Sequence, residues 1–501
     1  MRIVISILRR AAAFSIVLGA GVAQAADRPP DPLAGPIQVL RYRVNSETQE
    51  LNRAASEPNQ NQAQLRTLAE RRERAMLALM QASPEAALQE AFAPAARNGM
   101  PEEARKHIEE LASRTGTLEL LGVLAEDGRA GLERHLIASA EDLRLAIELP
   151  DEYVSGTRLT VRGLLLGNWL AAATEDVTID AAVTAPETNA ALTTRRALII
   201  SINFSDAPSE PWSMDLARQR YDNISDWYLE TSYGQMTIVS DVLGWFTVDG
   251  PSTSCATTTF RNQAEAAARG AGYEPNDYDH IVIAFPRVAS CGWAGLAQVP
   301  GRYVWLNNTI SRAASVHELG HNLGLLHSHS QRCSDDPLRG SCSAMEYGDI
   351  FDALGSGGAE YHGSFRRYLG WIADSDVLSI SAPDGDVTAV LRSSETDYGT
   401  RILQVQRATG DFLFIEAREA LGFDSLLTQY PAVLNGVTVY VGSSFRSQWL
   451  VDIGFTTTTR TDAPLQFGDT LADVDGDLSI TPLYNLDGDF YVQVHFGLGS
   501  P

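Results

Sequence analysis

The chain has 501 residues, 44% of them hydrophobic and 20% charged, an ordinary globular balance. That length implies roughly two to four domains. Asp and Glu total 63 against 39 Lys and Arg, a net charge of −24. This argues against nucleic-acid binding and against docking on anionic membranes, both of which need basic patches.

The first 25 residues, "MRIVISILRRAAAFSIVLGAGVAQA", read as an export signal. Early arginines precede an apolar stretch from Ala11 to Ala23, and Ala23-Gln24-Ala25 forms a small-x-small cleavage site. The apolar stretch is too short for a membrane anchor, which takes about 20 residues. A secreted or periplasmic protein cut after Ala25, without stable membrane insertion, is the expectation. The cysteines are Cys255, Cys291, Cys333 and Cys342, an even set that in an exported chain reads as two disulfides. Of the three pairings, Cys255–Cys291 with Cys333–Cys342 is favoured, because the second pair closes a short loop after a histidine cluster.

Residues 27 to about 60 are polar and rich in Pro, Gln and Asn, and are expected to be loose. Asn61 to Gln81 carries Leu65, Leu68, Met76, Leu79 and Met80 at mostly helical spacing. Further helices are predicted to start at Pro84 and Pro101, with proline in the first turn. After Gly116 the runs "TLELLGVLA", "HLIAS", "LRLAIEL" and "RLTVRGLLLG" predict strands of a small β unit ending near Ala173. Residues 26–173 are thus expected to be an α+β region, placed between export signal and linker as a pro-region would be. Thr174 to Arg196 is small, polar and aperiodic, and reads as a linker. Arg195-Arg196 is either a processing site or a pair of charges at a strand start.

From Ala197 strands and helices alternate: "ALIISINFSD", a helix through Leu216, Tyr221, Ile224, Trp227 and Tyr228, a strand pair after Gln235, a helix near Gln263–Arg269, "DHIVIAFP", and "RYVWLN". The fold class over 197–375 is therefore α/β. Residues 376–501 alternate in short runs separated by turn residues and predict an all-β, sandwich-like domain. Asp-Gly-Asp recurs at Asp384–Asp386, Asp475–Asp477 and Asp487–Asp489. Hairpin turns account for these, since Asp-Gly suits a type I′ turn. A Ca²⁺ site at Asp473–Asp477 is the sharper reading, although no distal Glu completes it.

The chemistry is concentrated in "HELGHNLGLLHSH", His317 to His329, which holds four of the nine histidines. On a helix starting near Arg312, positions i and i+4 share a face, so His317 and His321 can aim at one point about 2.0–2.1 Å from each nitrogen. Gly324 can take the left-handed conformation that ends helices. The chain can then turn and bring His327 to the same ion. Three neutral imidazoles leave a coordination position open for water, as a catalytic zinc site requires. Glu318, beside His317 on the helix, is placed to act as general base and then acid toward a metal-activated water. His329 is expected at the rim.

H-E-x-x-H-x-x-G-x-x-H, here His317 to His327, resembles the metzincin zinc proteases. "FSD", "WYLETSYGQMTI", "EYGDIFDALGSG" and "HGSFRRYLGWI" are similar to the gametolysin-like branch and its bacterial relatives. The resemblance covers about Ala197 to Ile372, with a weaker match at "FLFIEAREALGFDS". It implies a twisted mixed sheet above a cleft, the zinc helix below, and an extended peptide antiparallel to an edge strand. "GLAQVPGRYVWLN" falls where that edge would come. The family's methionine beneath the zinc would fall at Leu354; either leucine replaces it or Met345 fills the role, and the surrounding frame favours leucine. Latency through a cysteine thiolate is impossible, because no cysteine precedes Cys255. An acidic ligand or a steric block would be needed. The expected function is secreted zinc endopeptidase activity on a protein or peptide substrate. The competing reading is an exported adhesion or carbohydrate-binding protein with a vestigial protease-like domain, which the intact triad and Glu318 oppose.

Overall fold

The computed structural model describes residues 35–57, 61–125, 130–139, 141–150, 153–181, 193–457 and 459–497. The expected export signal lies outside them, as does the centre of the expected linker. No helix among the described residues is long and apolar enough to cross a membrane. The chain divides into two compact units: residues 1–114 with 145–148 and 161–177, and residues 115–144 with 149–160 and 178–501.

The first unit is led by helices α1 (Pro36–Ala55) and α2 (Gln62–Ala82). α1 corrects the expectation of a loose segment there. Pro36 sits in its first turn, and Val44, Leu51 and Ala54 repeat at helical intervals and are buried. A stripe that narrow is easily hidden among polar residues. Short helices at Pro84–Gln89 and Glu102–Arg105 stand where proline predicts them. Met76, Leu79 and Met80 pack with Leu164, Leu166 and Ala171 of the strand pair Arg158–Leu166 and Trp169–Ala171. Arg72 and Glu109 are buried as a bidentate pair at 2.6 and 2.9 Å.

The second unit is a mixed α/β assembly. Its central sheet uses β1 (Glu110–Ala125, from Thr115 onward), β2 (Ala130–Ala138), β3 (Thr193–Phe204), β4 (Met236–Val248), β5 (His280–Phe285), β6 (Trp293–Gln298) and β7 (Tyr303–Asn307). The order is β2-β1-β6-β7-β5-β3-β4. β3, β4, β5 and β7 run parallel to one another, whereas β6 is antiparallel to both β7 and β1. β4 is one long strand where two were expected, and its register with β3 slips between Ile200 and Ile202.

Helices α3 (Met214–Thr231) and α5 (Arg312–Asn322) cover one face of this sheet and α4 (Thr257–Gly270) the other. Ala197 and Ile199 join Tyr221, Trp227, Tyr228 and Leu319 in one core, while Leu198 and Ile200 join Phe260 and Phe285 in the second. Burial on both faces explains why β3 reads as a continuous apolar run. Arg195 and Arg196 lie within β3, the first bonded to Asp279 at 3.3 Å and the second stacked on Tyr278. The structure thus has these arginines as strand residues.

Beyond the site the chain is mostly β. One sheet contains Val377–Ile380, Ile402–Gln406, Phe412–Glu416, Gly436–Gly442 and Gln448–Val451, and is extended by His329–Arg332 and Ser343–Met345. A four-stranded sheet supplies Leu391, Ile480, Phe490 and Val492 to the same core as Leu403, Ile415 and Val439. Asp487-Gly488 is a hairpin turn with φ of 53° and 83°, as a type I′ turn requires. Asp384 instead closes a capped helical turn with Ser381, so the hairpin expectation fails there. Asp473 is buried and engaged by Arg407 at 2.9 Å. Cys255–Cys291 and Cys333–Cys342 are the disulfides.

The β1–β2 hairpin carries a pH-sensitive pair. Burial alone lowers the His135 imidazole, but bonds to Asp142 (2.7 Å) and Glu133 (3.2 Å) raise it to about 9. A folded value above the ordinary 6.5 means stability fully present below that pH and lost as pH rises through about 9. Thermal unfolding across pH 6 to 10 is expected to show this loss in the wild type, whereas His135→Gln flattens it over the same range.

Candidate metal centre

α5 is started by Ser311, whose Oγ accepts the Ala314 N–H at 3.2 Å. It ends where the sequence predicts. Gly324 takes φ of 100°, and its N–H and that of Leu325 close on the carbonyls of His321 and Gly320. Arg446 donates to the Gly324 carbonyl at 2.8 Å and so pins the turn. His327 thereby returns to the helix. Its Nε2 is 3.0 Å from that of His321, which is 3.2 Å from that of His317. Among the described residues this is the single group of three or more His, Cys, Asp or Glu able to hold a metal.

Each ring is oriented through its other nitrogen. Nδ1 of His317 donates to the Ala353 carbonyl (2.8 Å), Nδ1 of His321 to the Leu325 carbonyl (2.9 Å), and Nδ1 of His327 to Glu346 (2.9 Å). Carbonyls only accept, so the proton sits on Nδ1 and each Nε2 turns a lone pair to the shared centre. All three rings are buried. Burial lowers His317 to about 4 and holds His321 and His327 well below the ordinary value. Three neutral nitrogen lone pairs face one another with no proton between them. That arrangement is repulsive by itself and is satisfied by a divalent cation, so the donor set fits a metal.

Glu318 is fully buried, and neither carboxylate oxygen has a hydrogen-bond partner. Burial pushes its carboxyl well above the usual range. It lies against Gly295 of β6, where an added Cβ would fall 2.0 Å from Oε1. Only glycine leaves room for that carboxylate.

The floor of the site comes from the turn Asp349–Gly355. Asp352 accepts the N–H groups of Leu354 and His362, each at 2.6 Å, and so presents the Ala353 carbonyl to His317. Leu354 is fully buried and reaches Gly320 on α5, whose added Cβ would meet it at 2.9 Å. Met345 is 45% exposed. Leu354 is therefore the residue beneath the helix. His329 lies off the centre, stacked on Trp449 at 4.7 Å.

Sequence reasoning missed Gly295, Glu346 and Tyr347. The Tyr347 ring lies 4.3 Å from that of His327 and 5.4 Å from that of His317, with φ of 55°, a conformation costly for an aromatic residue. Glu346 holds His327, so Glu346→Ala is expected to weaken metal affinity about ten- to a hundredfold, measured by chelator competition.

The site is thus a buried triad of neutral imidazoles able to hold a metal, beside an unpartnered carboxylate. Residues 213–420 match the family model described as gametolysin peptidase M11. Over that span the chain is similar to the gametolysin-like metallopeptidases. No curated protein matches it closely enough to count as a relative. A solved structure described as "Structure of a chaperone-substrate complex" is similar at 15% identity over 48% of this chain, with a TM-score of 0.23. This chain spans 34% of that one, and so loose a likeness carries no argument.

Proposed function

We propose that the protein is an exported, zinc-dependent endopeptidase in which Glu318 is the general base and then the general acid. The supporting observation is the convergence of His317, His321 and His327 Nε2 atoms beside a buried carboxylate that no described residue hydrogen-bonds. Zinc, the ion this donor set suits, supplies Lewis acidity and a water more acidic than bulk. The chain does the rest. Ala353, Leu325 and Glu346 hold the imidazoles in the ligating tautomer. Glu318 takes a proton from the attacking water on its carboxylate and returns it to the leaving amine. β6 binds the substrate backbone as an extended strand. Residues 26–173 serve as pro-region, 197–375 as catalytic domain, and 376–501 as a β-rich module. Two disulfides fit an oxidising compartment.

Casein hydrolysis by intact and proteolytically nicked protein, with and without a zinc chelator and beside Glu318→Ala, tests this reading. Activity lost to chelator and to the variant supports it. Equal behaviour of all samples ends it and returns the vestigial-domain alternative.

A further inference from the structure

β6 has one side free of the central sheet of the catalytic segment, and the chain's own earlier residues take it. Leu121, Gly122, Val123 and Leu124 pair antiparallel with Gln298, Ala297, Leu296 and Gly295. At Gly122 the backbone crosses the histidines. A Cβ built there would lie 2.4 Å from His321 Cδ2 and 2.5 Å from its Nε2, the nitrogen that faces the other two rings. One residue on, the Val123 carbonyl accepts a hydrogen bond from Tyr347 Oη.

Upstream the same strand is clipped in place. Val299 N–H donates to the Leu120 carbonyl at 2.8 Å. Ser155 Oγ accepts from Leu120 N–H at 2.9 Å and donates to the Val299 carbonyl at 2.7 Å. Leu118 exchanges backbone bonds with Thr157 and Gly156, each at 2.8 Å. The carboxylate of Glu119 is held by Gln298. It is the only acidic side chain from Thr115 to Leu124, so no acid of this strand faces the histidines.

We infer that Thr115–Leu124 is a built-in competitor for the peptide-binding edge, which keeps the chain latent by strand pairing without a side-chain ligand to the metal, with Gly122 as the residue that lets it lie across the metal centre. This rests on the peptidase reading above. A tethered strand acts at an effective concentration on the order of millimolar, enough to exclude most free substrates. The cysteine and acid devices that latency could use are unnecessary, because the strand itself covers the site. Release follows once the β1–β2 hairpin is cut or displaced.

Gly122→Val tests it in the full chain, with Gly122→Ala as the milder variant and circular dichroism as the check on folding. The expected result is casein hydrolysis raised about tenfold over intact wild type, as a packing clash of this size shifts a docked population. Backbone amides of Trp293–Gln298 should exchange faster with solvent, a readout independent of activity. A synthetic peptide of residues 117–125 added to Gly122→Val should restore inhibition, and the same peptide carrying valine at 122 should not. Wild type as active intact as when nicked, or a folded Gly122→Val with unchanged exchange and activity, overturns the inference. If no form hydrolyses casein, the peptidase reading is what fails. The exchange of Trp293–Gln298 then still decides whether the glycine holds the strand.

Discussion

Glu318→Gln is expected to lower kcat/KM of the released form by about a thousandfold, within the range that a positioned proton-transfer group contributes. The loss should fall on kcat rather than KM. Glu318 lies against Gly295 and makes no hydrogen bond to any described residue, so on the proposed reading removing its charge leaves the peptide-binding edge intact. Bound zinc should stay near one per chain, because on the proposed reading the ligating nitrogens belong to His317, His321 and His327. His321→Ala provides the contrast: its Nε2 sits between the other two, at 3.2 and 3.0 Å, and its loss should remove metal and activity together. Metal analysis beside steady-state kinetics separates the two variants. Retention of more than about a tenth of wild-type activity by Glu318→Gln would sink its role as base.

Arg418→Met should destabilise the protein by about 3–5 kcal/mol, the range found when one partner is taken from a buried ionic group. Arg418 is 1% exposed and joins Asp424, Glu395 (2.8 Å) and Glu416 (3.5 Å). Arg366 extends the network through Glu360 at 2.8 Å. Methionine fills most of the volume and leaves the carboxylates dry and without their cation. In the native state burial then raises them, so the folded protein binds more protons than the unfolded one. Stability of the variant should therefore increase as pH falls below 7, by linkage. Wild-type Asp424 behaves oppositely: burial opposes its charge, but Arg418 holds its carboxyl below the usual range, and the stability it contributes is lost as pH falls. Urea unfolding at pH 7 and pH 5 measures the sign for the variant, and at about pH 5 and pH 3 that for wild-type Asp424, whose contribution is lost only below the ordinary value of 3.8. A loss of less than about 1 kcal/mol at pH 7 would show that the network is not sustained by Arg418.

Much of the metal centre was legible because it is local. His317 and His321 face one way wherever α5 forms, and the helix forms because Ser311 caps it and its apolar residues have a core to enter. Gly324 then ends it, for the conformational reason that makes glycine the residue found at such turns. The same locality made β3 and the Asp487-Gly488 hairpin readable. α1 was not, because polar composition outweighed three buried apolar positions. The "EYGD" frame marked the floor of the site, but whether Leu354 or Met345 lay beneath α5 depended on which side chain the fold buried.

Taken by itself, the order of residues determined which side chains can share a divalent ion, since helix pitch and one glycine turn are properties of a dozen consecutive residues. It also determined that no cysteine could guard that ion before Cys255. Only the tertiary structure decided what lies across the site. Glu119 and Gln298 are 179 positions apart, and Val123 and Tyr347 are 224 apart. Pairing over such distances leaves no periodicity or motif to read, because a strand's partner is chosen by which edge remains open after every other strand has found its neighbour.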